Sequence, residues 1–286
     1  MAYPFRDQTS ESSTLNGWLI YQPQDLLRNR WFAAELCKEA ARYGIRLQCF
    51  TADADAPQEL PDCIINRSRE ARWSMPYEAQ GIRCFNRAAV TAITNDKLRT
   101  YAFLQQHGIP AAPTYCIDCE TQNLPSYSLP MVAKPLDGHG GEGVEWIADA
   151  AALERILRHK KRPFLLQAPM VRGWDLRVYL LGGKIYHGML RTSASDFRSN
   201  YSLGGSVQSI SPDNEICRLI EQVQSHLPLD FAGIDVLRHP DGGYVIGEIE
   251  DAVGCRMLYQ HTSLQPAADY MKEIAAQLSR SSDAPK

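Results

Sequence analysis

The 286-residue sequence predicts a small α/β domain followed by an α+β portion, two modes of assembly in one chain. Three observations carry this. Strand-like and helix-like stretches alternate over the first 90 or so residues, the pattern of an open, mostly parallel sheet. From Pro130 onward the strands instead face one another across Gly-rich turns, as antiparallel hairpins do. The composition, 44% hydrophobic and 22% charged, is that of an ordinary globular chain, and the length suffices for a substantial core.

After a polar leader, GWLIY (17–21) reads as a strand. Residues 25–43 carry Leu26, Leu27, Trp31, Ala34 and Leu36 at helical spacing and end at Gly44, a natural C-cap. RLQCFTA (46–52), CIINRS (63–68) and RCFN (83–86) are short β-rich runs. A helix is expected from about Thr91 to Gln106, closing at Gly108, with IPAAPT (109–114) as an extended link. PMVAKP (130–135) and GVEWI (143–147) flank the Gly-rich DGHGGEG. Residues 175–191 read as a hairpin turning at Gly182-Gly183, and FAGIDVL (231–237) pairs with GYVIGEIE (243–250) across HPDG. Further helices are expected at 150–159, 213–226 and 266–279, before a frayed tail. The expected units are 17–94, an α/β domain, then lobes at 95–172 and 173–280.

A net charge of -3 provides no field to hold nucleic acid or an anionic membrane. The first residues lack an apolar core of signal-peptide length, and no later run is long enough to span a bilayer, so a cytoplasmic protein is expected. The eight cysteines sit mostly in apolar runs, which suits reduced thiols better than disulfides. Cys116 and Cys119 form a C-x-x-C with no second pair at metal-ligand spacing.

Two stretches carry chemistry. Gly138, Gly140 and Gly143 satisfy G-x-G-x-x-G, but the strand-like VEWI follows where a dinucleotide site needs a helix. Such a loop between antiparallel strands instead folds over nucleotide phosphates, with Lys134 just before it to neutralise their charge. The kinase motifs H-R-D and D-F-G are absent, as is a P-loop. In GYVIGEIEDAVGC (243–255), alternation puts Glu248 and Glu250 on one face and Asp251 on the other. Two like charges ~4 Å apart repel by roughly 4 kcal/mol at an effective dielectric near 20. The pair therefore needs water, a proton, a cationic side chain or a metal. Finally, IINRSREAR places Arg67, Arg69 and Arg72 just past a strand end, where open α/β sheets bind ligands. A fork of arginines holding a substrate carboxylate is expected there.

Read in order, NDKLRTYAFLQQHGIPAAPTY, VAKPLDGHGGEGV, LLQAPMVRGWDLRVYLLGG, LRTSASDFRSN with its following GG, AGIDVL and GEIED form a consistent set. Together they resemble the ATP-grasp carboxylate–amine ligases, and the RimK-like glutamate ligases within them, over roughly 95–262. The resemblance implies a two-lobed ATP-grasp fold behind the α/β domain. It also implies a reaction in which ATP converts a carboxylate to an acyl phosphate, which an amine then attacks.

Roles follow from the same resemblance. Lys97 and Lys134 would contact the phosphates, with Gly138, Gly140, Gly141 and Gly143 closing over them, and Gln167 would lie by the adenine. Asp175, Arg177, Arg191 and Asn200 would surround the transferring phosphoryl group and the substrate carboxylate, with Arg198 of DFRSN near the substrate. Asp235, Glu248 and Glu250 would hold Mg²⁺, or Mn²⁺ in its place. The chain departs from the family in having Glu250 where Asn is frequent, and in YSL after Asn200, which lacks a basic residue common in the glutamate-ligase branch. KPLDGHGG in turn resembles bacterial glutathione synthetases. Donor and acceptor therefore stay open among amino acid, peptide and protein tail, as does a homo-oligomer. The alternatives are a carrier-protein ligase or glutathione-synthetase-like peptide ligase, and a nucleotide-binding regulator without turnover.

Overall fold

The structure, a computed structural model, describes residues 14–118, 128–136, 143–159, 162–193 and 206–282. Gly138, Gly140, Gly141, Arg198, Asn200 and Cys119 lie outside the described residues.

The N-terminal portion comprises β1 (Leu15–Tyr21), α1 (Pro23–Ala41), β2 (Ile45–Thr51) and β3 (Cys63–Arg67). A 3-10 turn at Ala71–Trp73 and the single turn α2 (Met75–Glu78) lead to β4 (Arg83–Phe85). The strands form a parallel sheet in the order β2-β1-β3-β4. Central β1 is buried on both faces, as a parallel strand covered on two sides must be. Trp18 and Ile20 pack with Ile64 and Cys84, while Leu19 and Tyr21 pack with Phe32 and Leu36 of α1. Pro23 opens α1, and Gly44, at φ 68°, turns the chain into β2.

The single helix expected at 91–106 is two: α3 (Ala88–Thr94) and α4 (Lys97–Gln106). Apolar spacing runs through the break, but Asn and Asp favour caps over helix interiors, and here the cap prevails. Asp96 is extended (φ −134°, ψ 112°) and its carboxylate accepts from the N–H groups of Leu98 and Arg99. Asp251, the third carboxylate of the GEIED segment, holds the break from across the domain. The Thr91 hydroxyl and the Asn95 amide both donate to it at 2.8 Å. Lys97 is thereby the first residue of a helix whose start is pinned to a strand end. Asp251→Ala leaves the buried Thr91 hydroxyl without an acceptor and removes one of the Asn95 amide's contacts, and is expected to lower stability by about 1–3 kcal/mol. It should also raise the KM for ATP more than it changes kcat, as thermal unfolding and ATP titration would show.

A second sheet consists of β5 (Thr114–Ile117), β6 (Met131–Pro135), β7 (Glu145–Ile147) and β8 (Phe164–Gln167), antiparallel, in the order β5-β8-β6-β7. The amphipathic α5 (Ala150–His159) covers one face through Leu153 and Ile156. IPAAPT is more than a link: the Ile246 N–H donates to the Pro110 carbonyl at 2.8 Å, and Ala111 bridges to Ile246.

The third sheet joins β9 (Trp174–Leu181), β10 (Lys184–Thr192), β11 (Ser206–Ile210), β12 (Phe231–Arg238) and β13 (Tyr244–Glu250), antiparallel, in the order β11-β10-β9-β12-β13. Gly182 and Gly183 form the expected β9–β10 turn at φ 59° and 78°. One face packs Leu176, Val178, Leu180 and Ile234 against α6 (Asn214–His226), α3 and α4. The other packs Tyr179, Met189 and Phe231 toward α7 (Arg256–His261), α8 (Pro266–Ser282) and the first sheet. α6 starts at Asp213, whose carboxylate caps it.

Candidate active site

Strand alternation assembles the site. With Leu176, Val178 and Leu180 committed to one core, β9 must present Asp175, Arg177 and Tyr179 on its other face. The register then sets Arg191 of β10 opposite Asp175, Asp235 of β12 opposite Arg177, and Glu248 of β13 opposite Asp235. Charge alternates in sign from β10 through β9 to β12, the arrangement in which directly opposed side chains stabilise a sheet.

Arg177 is a fork between strands. Its Nε and Nη2 donate to the two Asp235 oxygens at 2.7 and 2.8 Å, and Nη1 lies 2.8 Å from Glu250 Oε2. Arg191, only 4% exposed, donates through Nε to Asp175 Oδ1 at 3.1 Å, and its Nη2 contacts the same oxygen and lies 2.9 Å from Asp235 Oδ2. Lys97 Nζ stands 3.4 Å from Glu248 Oε1. Gly233, paired with Glu250, leaves room for the fork: a Cβ there would lie 2.7 Å from Val253 Cγ2 and 3.4 Å from Arg177 Cδ.

These contacts set protonation. Burial alone would push the Asp235 carboxyl up, but Arg177 and Arg191 outweigh it and hold it well below the usual carboxylate range. Asp175 goes the other way, from 3.8 to about 6, through burial and the Asp235 charge, with Arg191 opposing. Burial also raises Glu250 against the pull of Arg177, and lowers Lys134 against the pull of Glu248. The signs differ for stability. The contribution of Asp175 is full below 3.8 and is lost as pH rises through about 6, whereas that of Asp235 is present above 3.8 and lost as pH falls below it. For turnover, protonating Asp175 removes a charge that holds Arg191. An acidic limb near pH 6 is therefore expected in kcat/KM, reporting the free enzyme. Steady-state rates in buffers spanning that range should show the limb absent from the residual activity of Asp175→Asn.

Beside this lattice a cleft runs between the second and third sheets, lined by Lys97, Lys134, Gln167 and Glu248. Lys134 Nζ donates to Gln167 Oε1 at 2.6 Å, and Gln167 Nε2 donates to Thr114 Oγ1 at 2.9 Å, so the amide orients the ammonium. Leu104, Leu165 and Ile246 form an apolar wall. Sequence reading missed that wall, since apolar residues carry no chemical signature. Spacing held one clue: Lys97, Tyr101 and Leu104 fall at i, i+4 and i+7 on one face of α4.

The expected arginine fork of the first sheet does not form. Arg67 is 4% exposed, and its guanidinium donates to the carbonyls of Ala252 and Val253 at 3.1 and 2.9 Å while stacking on Tyr21 and Phe32. A buried cation needs such acceptors, and β3 ends directly against the chain leaving β13. Arg72 turns outward to Glu70. Arg69 remains, one residue pair beyond the clamp, 3.6 Å from Asp25.

Among the described residues, no group of three or more His, Cys, Asp or Glu is gathered as a metal site. Asp235, Glu248 and Glu250 are instead each met by a cation, which is how their repulsion is relieved here. The donor set still fits a hard divalent cation, being all carboxylate oxygen. Glu248 and Glu250 keep 39% and 30% of their side chains exposed. Lys97, Lys134, Arg177 and Arg191 balance Asp175, Asp235, Glu248 and Glu250, so the described site is neutral and a polyanionic triphosphate would need an added cation. The described cysteines are all free thiols, Cys116 included.

The RimK-like ATP-grasp domain matches residues 94–274, and the chain belongs to that family. It is 26% identical over 215 residues to the glutamate–LysW ligase ArgX of Sulfurisphaera tokodaii, covering 70% of this chain and 76% of that one. It is 33% identical over 193 residues to beta-citrylglutamate synthase B of Homo sapiens, covering 62% of this chain and 49% of that one. The RimK domain ATP-grasp protein of Sphaerobacter thermophilus superposes with a TM-score of 0.68 at 20% identity, over 91% of this chain and 98% of that structure. The ATP-grasp fold anticipated from the motifs is therefore the fold observed, and the protein is an ATP-dependent ligase of that class. Among the described residues, no helix is long and apolar enough to cross a membrane.

Proposed function

We propose that the protein joins a carboxylate to the amine of an amino acid or peptide through an acyl phosphate. The observation that carries this is the Arg191–Asp175 and Arg177–Asp235 lattice standing beside a cleft that holds Lys97 and Lys134. Lys97 and Lys134 would meet the triphosphate, with the adenine against Leu104, Leu165 and Ile246. Arg177 and Arg191 never lose their charge at working pH and are fixed by burial and fork geometry. They would stabilise the negative charge shared by the attacking carboxylate and the transferring phosphoryl group. The carboxylate oxygen forms a bond to the γ-phosphorus as the β–γ P–O bond breaks and ADP leaves. The amine nitrogen then bonds to the acyl carbon, phosphate departs with its oxygen, and the amine gives up a proton. No protein nucleophile enters. Asp235, Glu248 and Glu250 would hold Mg²⁺, which when bound supplies charge neutralisation on the phosphates.

The names of the relatives, a glutamate–LysW ligase and a beta-citrylglutamate synthase, favour an acidic amino acid among the substrates. The test is phosphate release from Mg²⁺-ATP against single amino acids and amino-acid pairs, with mass spectrometry of products. Stimulation by one pair, with a product lighter by one water than the two together, supports the reading. Silence with every pair, and with short peptides supplied in their place, while ATP still binds would overturn it in favour of a regulator without turnover.

A further inference from the structure

Three chain segments meet at the C-terminal edge of the first sheet, where it faces the exit of β13. They are the β1–α1 junction (Gln22, Asp25), the turn after β3 (Arg69, Glu70) and the residues after Glu250. Gln22 Nε2 donates to Glu70 Oε1 at 2.8 Å, and Arg67 clamps the carbonyls of Ala252 and Val253, so the three are tied together. We propose that Arg69 binds a second, non-reacting carboxylate of the amino-acid or peptide substrate. The inference rests on the ligase reading above and names a substrate feature for it.

Three observations point to Arg69 rather than its neighbours. Arg67 is spent on backbone carbonyls and Arg72 on Glu70, whereas among the described residues Arg69 has only Asp25 at 3.6 Å, beyond hydrogen-bond distance. It is neither buried nor free in solvent: its side chain is 25% exposed. Among the described residues it alone, glycines aside, adopts positive φ, at 65°. That conformation is disfavoured for a side chain of this size, and such strain concentrates where a ligand needs a group held in place.

The reacting carboxylate belongs to Arg177 and Arg191, a separate pair, so Arg69 would read identity, not chemistry. Arg69→Gly tests this, because glycine takes φ 65° without strain while removing the guanidinium together with its stem. The probes are the stimulating amino acids from the phosphate-release array, each supplied as free acid and as carboxamide. Wild type is expected to prefer one free acid over its amide by roughly 10- to 100-fold in kcat/KM, as a charge-assisted fork gives. Arg69→Gly should lose that preference through KM, keep the KM for ATP, and unfold at or above the wild-type temperature. An unchanged acid preference in the variant, or none in wild type, overturns the proposal and leaves the ligase standing. Silence of wild type with every acid, and with short peptides in their place, overturns the ligase reading, and this one with it.

Discussion

Asp235→Asn is expected to lower kcat on the order of 10²–10³-fold, the scale of losing one preorganised electrostatic contact, and to lower stability by about 3–5 kcal/mol, the scale of breaking a buried ion pair from one side. The two effects share one cause. Asp235 is 7% exposed and takes three guanidinium contacts, two from Arg177 and one from Arg191. Asparagine keeps the shape but supplies no charge and only one acceptor oxygen, so two guanidiniums lose their common anchor where water cannot replace it. Arg191 retains Asp175 and Arg177 retains Glu250, so the arginines stay bound but are re-aimed. Urea melts measured with kcat and ATP affinity would check this. Intact ATP binding with lost turnover marks a ligase, whereas a regulator would show altered affinity and no turnover to lose.

That network explains why three carboxylates can follow one buried strand. Glu248 and Glu250 share a face and would repel, but Lys97 and Arg177 stand against them. Asp251 points the other way and caps nothing catalytic; it fixes the helix start that delivers Lys97. Cations that would later meet phosphate are thus held meanwhile by carboxylates suited to a metal. Such a site keeps strong charges buried without a net charge, which isolated groups could not do.

Much of this was legible in the sequence for a definite reason. WDLRVYLL places Asp175 and Arg177 in a strand whose other positions are apolar, and a charge there must face either solvent or a site. The hairpins were legible because Gly182-Gly183 and HPDG punctuate two β-rich runs. What escaped depends on contacts far apart in the chain. Nothing local distinguishes Arg67 from Arg69, yet 185 residues separate Arg67 from the Ala252 carbonyl that it binds, and this removes it from any ligand role at the surface. The helix break at Asn95-Asp96 was likewise hidden, because the apolar spacing continues across it and its anchor, Asp251, is 160 residues beyond Thr91. Periodicity reports faces; it does not report partners.

Arg177→Lys, which conserves the charge, is expected to be nearly as damaging as losing it. A guanidinium meets both Asp235 oxygens and Glu250 at once, at 2.7, 2.8 and 2.8 Å, because its donors diverge in one plane. An ammonium is shorter and compact, and it cannot bridge β12 and β13 from β9. The expected loss is roughly 10²-fold or more in kcat, with about 2–4 kcal/mol in stability from a buried pair left imperfect. The partner variant, Glu250→Gln, decides what Glu250 is for. If Glu250 serves as the third anchor of Arg177, combining it with Arg177→Lys should add little to either loss, since the two changes remove one interaction. If Glu250 serves as a metal carboxylate independent of the arginine, the losses should add, and the Mg²⁺ concentration for half-maximal activity should rise in Glu250→Gln alone. The 2.8 Å contact in the structure favours the first outcome. The second would mean that Arg177 releases Glu250 when nucleotide arrives.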